Sequence, residues 1–312
     1  MKSFKIGNVK IKSNAVLAPM AGFSDMALRS FAHEFGAGLT YTEMVSAKAL
    51  EYHNKKTEVL LECEDNDKPI AVQLFGHDPE VMAKACKNQL LQKFDIIDIN
   101  MGCPTPKIVN NGDGSALLSD IKLAEKIIRA CVAATDKPVT VKFRIGRTDK
   151  QIVAVEFAQM CERAGVSAVT VHGRTTDQGY SGKSNLDIIK QVVDAVRIPV
   201  IVSGDCDGKE SYDHILSYTG ADAVMVGRAA IGRPEIFAQI AGEQTKVDKK
   251  EQILRHAKIL LKYYPERAVV LSLRGIVPQY LKNIAGMTEL KIAASKLQSI
   301  EELKELLEKY NF

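Results

Sequence analysis

One cysteine of the sequence stands where a thiol can take part in chemistry. An apolar run over residues 96–100 ends at Asn100, and Cys103 follows between Gly102 and Pro104. Because glycine and proline stop a strand, the thiol is expected at the rim of a sheet or barrel rather than in its core. Exposed thiols beside polar groups are the reactive kind, so we interpret Cys103 as catalytic. Four other cysteines fall in helical patterns and are expected to be buried small hydrophobic residues: Cys63, Cys86, Cys131 and Cys161.

Polar or glycine-rich groups follow nearly every other apolar run as well. Lys142 lies inside a strand pattern, where a lysine is costly unless it is paired or meets an anionic ligand. A salt bridge across the mouth of a barrel is the structural alternative for Lys142, and a satisfied core position is the alternative for His172. The groups at the strand ends are Pro19-Met20-Ala21, Glu43, Gln73, Asn100 with Cys103, Lys142 with Arg144, His172 with Arg174, Ser203-Gly204-Asp205, and Gly227-Arg228.

The last two of these groups have the composition of an anion site. Glycines such as Gly204 and Gly227 let backbone N–H groups approach an anion, and Arg228 adds a charge-assisted contact. In a barrel of alternating strands and helices, the loops after strands seven and eight are the usual phosphate cradle. The pattern therefore predicts a phosphorylated ligand without saying which one.

The elements that must position these groups alternate along the first 240 residues. Eight short strand patterns are separated by amphipathic helical patterns: Val16–Ala18, Leu39–Thr42, Ile70–Phe75, Ile96–Asn100, Val139–Phe143, Ala168–His172, Val200–Ser203 and Ala223–Val226. Eight strand–helix units of this total length predict an α/β fold, the (β/α)8 TIM barrel, whose catalytic groups lie at the C-terminal ends of the strands. A doubly wound sheet is the alternative, but the G-x-G-x-x-G fingerprint is absent after the first strand.

Composition limits the class of protein. The chain has 312 residues, of which 46% are hydrophobic and 26% charged, as in ordinary soluble globular proteins. Its six cysteines form no C-x-x-C pair, which indicates a reducing compartment. We expect a cytoplasmic protein, because the N-terminus lacks an apolar signal core and no run approaches membrane-spanning length. No His/Cys/Asp spacing resembles a metal site, so no metal is expected.

Positive charge is concentrated in the last fifth of the chain. Residues 245–312 contain 13 Lys/Arg and 8 Asp/Glu, against 29 and 30 in the rest. We expect residues 1–242 to form the barrel and residues 243–312 a small helical domain that binds a polyanion. A solvated helical face is the alternative reading of the charge. Three tyrosines of this segment would either stack on RNA bases or pack a core: Tyr263, Tyr264 and Tyr280.

Taken together, the motifs resemble one family. Those that carry the resemblance are Ala18-Pro-Met-Ala-Gly22, Thr42-Glu-Met44, Gln73-Leu-Phe-Gly76, Asn100-Met-Gly-Cys-Pro104, Lys142-Phe-Arg144, His172-Gly-Arg174, Ser203-Gly-Asp205 and Met225-Val-Gly-Arg228. Their order and identity are similar to those of the flavin-dependent tRNA-dihydrouridine synthases, nearest to the bacterial B-type enzymes. The resemblance covers the barrel and, more loosely, the helical segment.

The resemblance implies a cofactor, FMN, bound across the barrel mouth. Pro19, Met20 and Ala21 would line its ring, with Gln73, Lys142 and His172 at its polar edge. The phosphate would lie against Gly204, Asp205, Gly227 and Arg228, and Ser203 stands where the family usually has Asn.

The resemblance also implies the reaction. Flavin would supply a hydride to C6 of uracil, Cys103 a proton to C5, and NADPH the electrons. We expect tRNA as substrate and a monomeric enzyme. Predicted substrate contacts are Asn100, Arg144, Arg174, Arg255 and Arg274. The chain reads Arg274-Gly275-Ile276 where B-type enzymes often read R-K-H, which leaves the target uridine open.

Three other functions are compatible with parts of the pattern. One is a dihydroorotate-dehydrogenase-like barrel that acts on a free pyrimidine. The second is a class I aldolase that uses Lys142 as a Schiff-base nucleophile. The third is a tRNA-binding protein with a pocket that no longer catalyses a reaction.

Overall fold

The strands of the protein form a short hairpin and a barrel. The computed structural model describes residues 1–282 and 284–309. The hairpin consists of antiparallel β1 (Phe4–Ile6) and β2 (Val9–Ile11). The barrel strands are β3 (Ala15–Leu17), β4 (Thr40–Ser46), β5 (Ile70–Phe75), β6 (Ile96–Met101), β7 (Val139–Arg144), β8 (Ala168–His172), β9 (Val200–Ser203) and β10 (Ala223–Val226).

All paired neighbours among the barrel strands are parallel. Their order is β3-β10-β9-β8-β7-β6-β5-β4. The ring is nearly closed between β3 and β4, where the Leu17 amide donates to the Leu39 carbonyl at 2.9 Å and the Gly38 amide to the Ala15 carbonyl at 2.9 Å. The (β/α)8 prediction is therefore confirmed.

Helices follow the strands and cover the outside of the barrel. They are α1 (Met26–Glu34), α2 (Ala47–Glu51), α3 (Lys55–Glu58), α4 (Pro79–Cys86), α5 (Pro106–Val109), α6 (Ile121–Ala134), α7 (Ala154–Arg163), α8 (Leu186–Ala195), α9 (Lys209–Thr219) and α10 (Ile236–Ile240). Short 3-10 turns occupy Val59–Leu61, Gln89–Leu91, Gly114–Ser119 and Arg228–Ala230. The chain then continues through α11 (Lys249–Leu260), α12 (Glu266–Tyr280), α13 (Thr288–Ala294) and α14 (Ile300–Glu308).

The apolar runs of the sequence predict the bounds of half of the barrel strands. Four strands have the predicted bounds: β5, β8, β9 and β10. The prediction for β4 was wrong at its end, because the strand runs on to Ser46. Its register with β5 shifts between Tyr41 and Met44, and Glu43 and Met44 are only half-buried. The apolar pattern stops at that irregularity while the backbone pairing resumes beyond it.

The C-terminal helices share a hydrophobic core with the first barrel helix. Met26, Ala27 and Phe31 of α1 pack in one cluster with residues of α11 to α14, such as Ile253 and Leu273. This shared core stabilises the docked position of the four helices. The division into domains 1–242 and 243–312 remains a prediction, and residues 310–312 lie outside the described residues.

A buried polar network crosses the same interface. The ring of His256 on α11 lies 3.0 Å from Asp25 Oδ2 at the start of α1 and 2.9 Å from the Tyr280 hydroxyl on α12. Tyr280 is buried, so it packs the core and is not an RNA-stacking residue. Because buried polar groups need partners, the three side chains position α11 and α12 against the barrel.

Two further expectations concern single residues and long helices. Cys86, Cys131 and Cys161 are buried, but the expectation for Cys63 was wrong: it is half-exposed and follows a 3-10 turn instead of lying in a helix. Along the described part of the chain, no helix combines the length and the apolar character needed to cross a bilayer.

Candidate functional site

The C-terminal ends of the parallel strands surround a cavity of about 630 Å³. A cavity of this size falls in the usual range for cofactor and small-molecule sites. The structure brings ten of the predicted site residues together in its wall: Pro19, Met20, Lys142, His172, Arg174, Ser203, Gly204, Asp205, Gly227 and Arg228. Sequence-distant strand ends thus converge at one mouth, as the barrel prediction required.

The five remaining predicted residues of the barrel do not line this cavity: Ala21, Gln73, Asn100, Cys103 and Arg144. Asn100 on β6 is in register with Lys142 on β7, so the segment that leads to Cys103 adjoins the cavity wall. Gln73 lies on β5, next to β6. Ala21 is exposed in the turn after Met20 and is not part of the cavity lining.

Cys103 is held by the backbone and by a glycine-containing turn. Its N–H donates to Asn100 Oδ1 at 3.0 Å, its carbonyl accepts from the Ser115 N–H at 3.1 Å, and its thiol donates to Thr105 Oγ1 at 3.3 Å. Gly114 has φ +59°, and a Cβ there would lie 2.9 Å from the Cys103 carbonyl oxygen. Only glycine can pass this close to the Cys103 carbonyl at a positive φ. The turn therefore holds the backbone of Cys103 in place and leaves its thiol half-exposed.

A chain of side-chain hydrogen bonds leads from the barrel centre to this segment. Gln73 Nε2 donates to Asp98 Oδ2 at 2.7 Å, and Asn100 Nδ2 donates to Gln73 Oε1 at 2.8 Å. Thr140 Oγ1 donates to the other oxygen of Asp98 at 2.6 Å. Burial raises the pKa of Asp98 to about 6, against the opposing effect of these hydrogen bonds and of Lys142. Asp98 is a functional candidate that the sequence interpretation missed.

Lys142 and His172 have strongly shifted proton affinities. Burial, helped by the charge of Arg144, lowers the pKa of Lys142 to about 8, while Asp98 and Cys103 act in the opposite direction. Burial and four nearby cations, beginning with Lys142, lower the pKa of His172 to about 2. At neutral pH the site therefore combines a protonated lysine with a neutral imidazole. Lys142 Nζ also reaches Ser203 Oγ at 3.5 Å.

The two buried arginines of the site hold loops. Arg144 donates to the carbonyl of Gly102 at 2.9 Å and to those of Thr175 and Gly179 at 2.8 Å each. Arg174 donates to two loop carbonyls and pairs with Asp205 at 2.7 Å. Neither arginine is exposed. Contact with the substrate stays a prediction for both, while the structure gives each a role in holding the mouth together.

Backbone amides at two strand ends form a cradle for an anion. Gly204 has φ +124° and Asp205 has φ +55°, so the backbone leaves the extended conformation of β9 directly after the strand ends. Within the described residues, the N–H groups of Gly204, Asp205 and Arg228 donate to no protein acceptor. The Arg228 guanidinium forms no ion pair with a carboxylate of those residues, and it lies 4.8 Å from the ring centre of Tyr180. Free amides beside an unpaired arginine fit a phosphate group.

Tyr180 and Lys282 are among the cavity residues that were not predicted as site residues. Tyr180 is 59% exposed in the loop after β8, and its ring also lies 5.6 Å from the Arg144 guanidinium. Lys282 follows α12 and brings a basic side chain of the C-terminal helices to the cavity wall. An exposed loop tyrosine carries no periodic signal, so no pattern in the sequence distinguishes Tyr180. Lys282 was only one of several lysines in a basic segment.

The predicted RNA contacts of the helical segment lie away from the cavity. Arg255 forms a two-pronged ion pair with Glu34 at 2.8 and 3.0 Å and lies 4.9 Å from the centre of the Phe31 ring. Arg274 donates to the carbonyl of Leu297 at 2.8 Å. Neither lines the cavity. RNA binding by the two arginines remains a prediction.

A second cavity lies at the opposite end of the barrel. Its volume is about 530 Å³, and its wall includes Lys137 and Lys68 together with the loops that precede β6 and β7. Lys137 donates to the carbonyls of Gln92 and Phe94 at 3.0 and 2.7 Å. The N-terminal face of such a barrel serves stability, and none of the predicted site residues lies there.

The structure defines a TIM-barrel protein: a parallel (β/α)8 barrel with a cavity at the C-terminal ends of its strands, which is where enzymes of this fold have their active sites. Comparison with known proteins gives the family. The family model described as dihydrouridine synthase matches residues 16–311. The chain belongs to the dihydrouridine synthase family.

Relatives of this family match along nearly the whole chain. A probable tRNA-dihydrouridine synthase from Rickettsia bellii is 39% identical over 303 residues, which cover 93% of this chain and 92% of the relative. The tRNA-dihydrouridine synthase B of Pseudomonas syringae pv. tomato is 36% identical over 312 residues, with 96% and 92% coverage. The resemblance to the B-type enzymes is thus confirmed.

Solved structures share the fold. The old yellow enzyme homologue from Zymomonas mobilis superimposes with a TM-score of 0.59 at 13% identity, covering 79% of this chain and 93% of that one. Morphinone reductase gives 0.57 at 12% identity, with 78% and 90% coverage. At this level of identity the likeness concerns the barrel architecture alone.

Proposed function

We propose that this protein reduces the C5–C6 double bond of uridines in tRNA, with FMN as its bound cofactor and NADPH as the electron donor. The observation that supports this proposal is the dihydrouridine synthase match over residues 16–311, a range in which Cys103 follows the C-terminal end of β6. The B-type relatives are similar along the C-terminal helices as well, so the whole chain takes part in the proposed activity.

The residues of the mouth fit FMN. Unpaired backbone amides at Gly204 and Asp205 and the unpaired guanidinium of Arg228 would hold its phosphate. Pro19 and Met20 would contact the ring, and Lys142, His172, Ser203 and Gly227 would complete the binding site. Contacts of Ala21 and Gln73 with the cofactor stay predictions, because neither residue lines the cavity. The bound flavin supplies hydride for C6 of uracil, which a protein side chain cannot do.

The side chains at the barrel mouth would supply a proton and a positive charge to the reaction. Cys103 would donate a proton to C5, since its thiol is half-exposed just after the C-terminal end of β6. Lys142 would place a positive charge beside the cofactor, where negative charge is stabilised in a site of low dielectric constant. The neutral imidazole of His172 can offer one donor and one acceptor there without adding a fifth cation.

The target uridine must leave the tRNA stack to reach the cavity, which costs a few kcal/mol. Phosphate contacts from basic residues can offset that cost. Lys282, at the cavity wall, is placed for such a contact, and Arg255 and Arg274 remain predicted contacts. The proposed substrate is consistent with a cytoplasmic, monomeric enzyme. The aldolase-like and dihydroorotate-dehydrogenase-like interpretations have no support from the family match.

The direct experiment uses tRNA isolated from a strain without the gene. Purified protein loaded with FMN, that tRNA and NADPH should form dihydrouridine, measured by mass spectrometry of the nucleosides, and NADH should be the poorer donor. Mapping the modified positions identifies the target. Flavin binding and NADPH oxidation without any dihydrouridine would contradict the proposal, as would equal turnover of free uridine.

A further inference from the structure

The hydrogen-bond chain through Gln73 starts at a carboxylate that has no contact with solvent. Asp98 is fully buried on β6 and accepts from Gln73 Nε2 on one oxygen and from Thr140 Oγ1 on the other. At its far end, Asn100 Oδ1 accepts from the backbone N–H groups of Gly102 and Cys103 at 3.1 and 3.0 Å. This series of hydrogen bonds therefore connects the barrel centre to the backbone of Cys103.

The hydrogen-bonding capacity of each group fixes the direction of this chain. A carboxylate only accepts, so Gln73 must turn its NH2 group towards Asp98. The Gln73 oxygen then faces Asn100, which must present its own NH2 group. The Asn100 oxygen is left for the two backbone donors, and reversal of either amide would set donor against donor.

We propose that Asp98 is a positioning residue: by accepting from Gln73, it orients the amides of Gln73 and Asn100 and so holds Cys103 at the barrel mouth. The inference deepens the proposed function, because it concerns how the suggested proton donor is placed. Asp98 acts through other residues and does not touch the substrate.

The surroundings of Asp98 agree with an ionised carboxylate. Both of its oxygens accept hydrogen bonds from donors on the neighbouring strands β5 and β7. Lys142 on β7 faces it as an opposite charge. Tyr41 on β4 is fully buried and interacts with Asp98 electrostatically.

A second buried aspartate, Asp67, serves as the control for Asp98. Asp67 is also fully buried, and it also accepts from a threonine hydroxyl, that of Thr40 at 2.6 Å, and from a nitrogen donor, Arg29 Nε at 2.7 Å. Its hydrogen bonds do not lead to Cys103. Asp98→Leu and Asp67→Leu each remove a buried carboxylate that accepts from a threonine, and Asp67→Leu is the more severe change because it also breaks the ion pair with Arg29. Asp98→Asn keeps one oxygen for Gln73.

The rate of hydrogen exchange at the Gly102 and Cys103 amides tests the proposal, and it can be measured on the protein without flavin, tRNA or catalytic turnover. We expect Asp98→Leu to accelerate exchange of these two amides at least tenfold, Asp98→Asn to stay within threefold of the wild type, and Asp67→Leu to leave them within twofold. In the flavin-loaded enzyme, Asp98→Leu should slow uridine reduction while Asp98→Asn restores it.

Unchanged exchange in Asp98→Leu would overturn the inference, and so would equal acceleration in Asp67→Leu. If Asp98→Leu does not fold, Gln73→Met interrupts the chain in its middle, and its exchange at Gly102 and Cys103 decides in the same way. If the exchange behaves as expected but no uridine is reduced, the positioning role stands and the proposed function fails.

Discussion

At the mouth of the barrel, single side chains derive their properties from their surroundings. Burial, helped by the charge of Arg144, lowers the pKa of Lys142 to about 8, and His172 stays neutral because burial and four cations lower its pKa. Cys103 is one of two half-exposed cysteines, and only it lies at the end of a barrel strand. The chemistry of the site therefore depends on placement more than on residue type.

The thiol of Cys103 is expected to be needed for uridine reduction and not for flavin binding. Cys103→Ala should keep its bound flavin and lose about 10² to 10⁴-fold in the rate of dihydrouridine formation, the usual contribution of a general acid. Single-turnover formation of dihydrouridine measures this. Cys63→Ala, which removes the other half-exposed thiol, is the control and should retain full activity.

Because the pKa of Lys142 is lowered, we expect the activity to decrease at alkaline pH. Its pKa lies near 8, below the ordinary lysine value, so the ammonium group predominates at pH 7 and is lost as the pH rises through about 8. The rate of uridine reduction should fall across that range. Lys142→Arg should move the fall beyond pH 10, because a guanidinium remains charged there. A fall near pH 8 that persists in Lys142→Arg would belong to another group.

Unfolding of the apoprotein gives the control for Lys142. A buried lysine with a lowered pKa costs stability while it is protonated. Lys142→Met should therefore melt at a higher temperature than the wild type at pH 7 while losing activity. A lower melting temperature would show that the variant is damaged elsewhere.

Among the structural elements, the loops that follow β6 and β9 position the residues of the candidate site. The loop after β6 turns Cys103 against Gly114, and the loop after β9 opens its amides through two residues of positive φ. The strands fix where each loop begins. Hydrogen bonds from the buried Arg144 and Arg174 then fix where these loops and the loop after β8 lie.

Gly204 is expected to be irreplaceable in the anion cradle. A Cβ there would lie 2.7 Å from Ser184 Oγ and 3.3 Å from the His172 ring, at a φ of +124° that side chains rarely adopt. Backbone strain of this kind costs about 1–3 kcal/mol. Gly204→Ala should weaken flavin binding about tenfold or more in a fluorescence titration.

Gly208 is the control for Gly204. Its backbone is extended and a Cβ at this position would meet open space, so Gly208→Ala should leave the flavin affinity within about twofold of the wild type. Equal loss of affinity in both variants would show that the loop after β9, and not the cradle, is what the substitutions disturb.

On the scale of the whole molecule, three basic residues of the C-terminal helices form ion pairs with carboxylates of the barrel. Lys249 pairs with Glu235, Arg255 with Glu34 and Lys262 with Glu64. The excess of basic residues in the sequence thus serves docking of the helices in addition to any role in RNA binding. Lys282 differs, since it lines the cavity and pairs with no carboxylate among the described residues.

Lys282 is therefore expected to contribute more to tRNA binding than Arg255. Lys282→Ala should weaken binding and reduce the slope of log affinity against log salt by about one unit, the effect of a single phosphate contact. Arg255→Ala and Arg274→Ala should also weaken binding, with smaller changes in slope. Filter binding over a range of salt concentrations measures this.

Lys304 is the matched control for these basic residues. It pairs with Glu301 on α14, and Lys304→Ala should change neither the affinity nor the salt slope. Equal slopes for Lys282→Ala and the wild type would contradict a phosphate contact at Lys282.

The order of local elements was accessible from the sequence by itself. Apolar runs predicted eight strands, glycine and proline predicted their ends, and the position of Cys103 between Gly102 and Pro104 predicted a thiol at the rim. These signals are local, because each strand pattern needs only a few neighbouring residues. Ten of the predicted site residues accordingly line one cavity.

Only the tertiary structure decided which polar groups are free and which are bound to each other. Arg255 meets Glu34 across 221 positions of sequence, and the acceptor chain from Asp98 to Cys103 needs β5 and β6 side by side. Such partners come from the packing of distant segments, which no local period encodes. The physical reason is that burial makes an unpaired charge or amide costly, so the folded chain pairs its polar groups wherever packing brings them together.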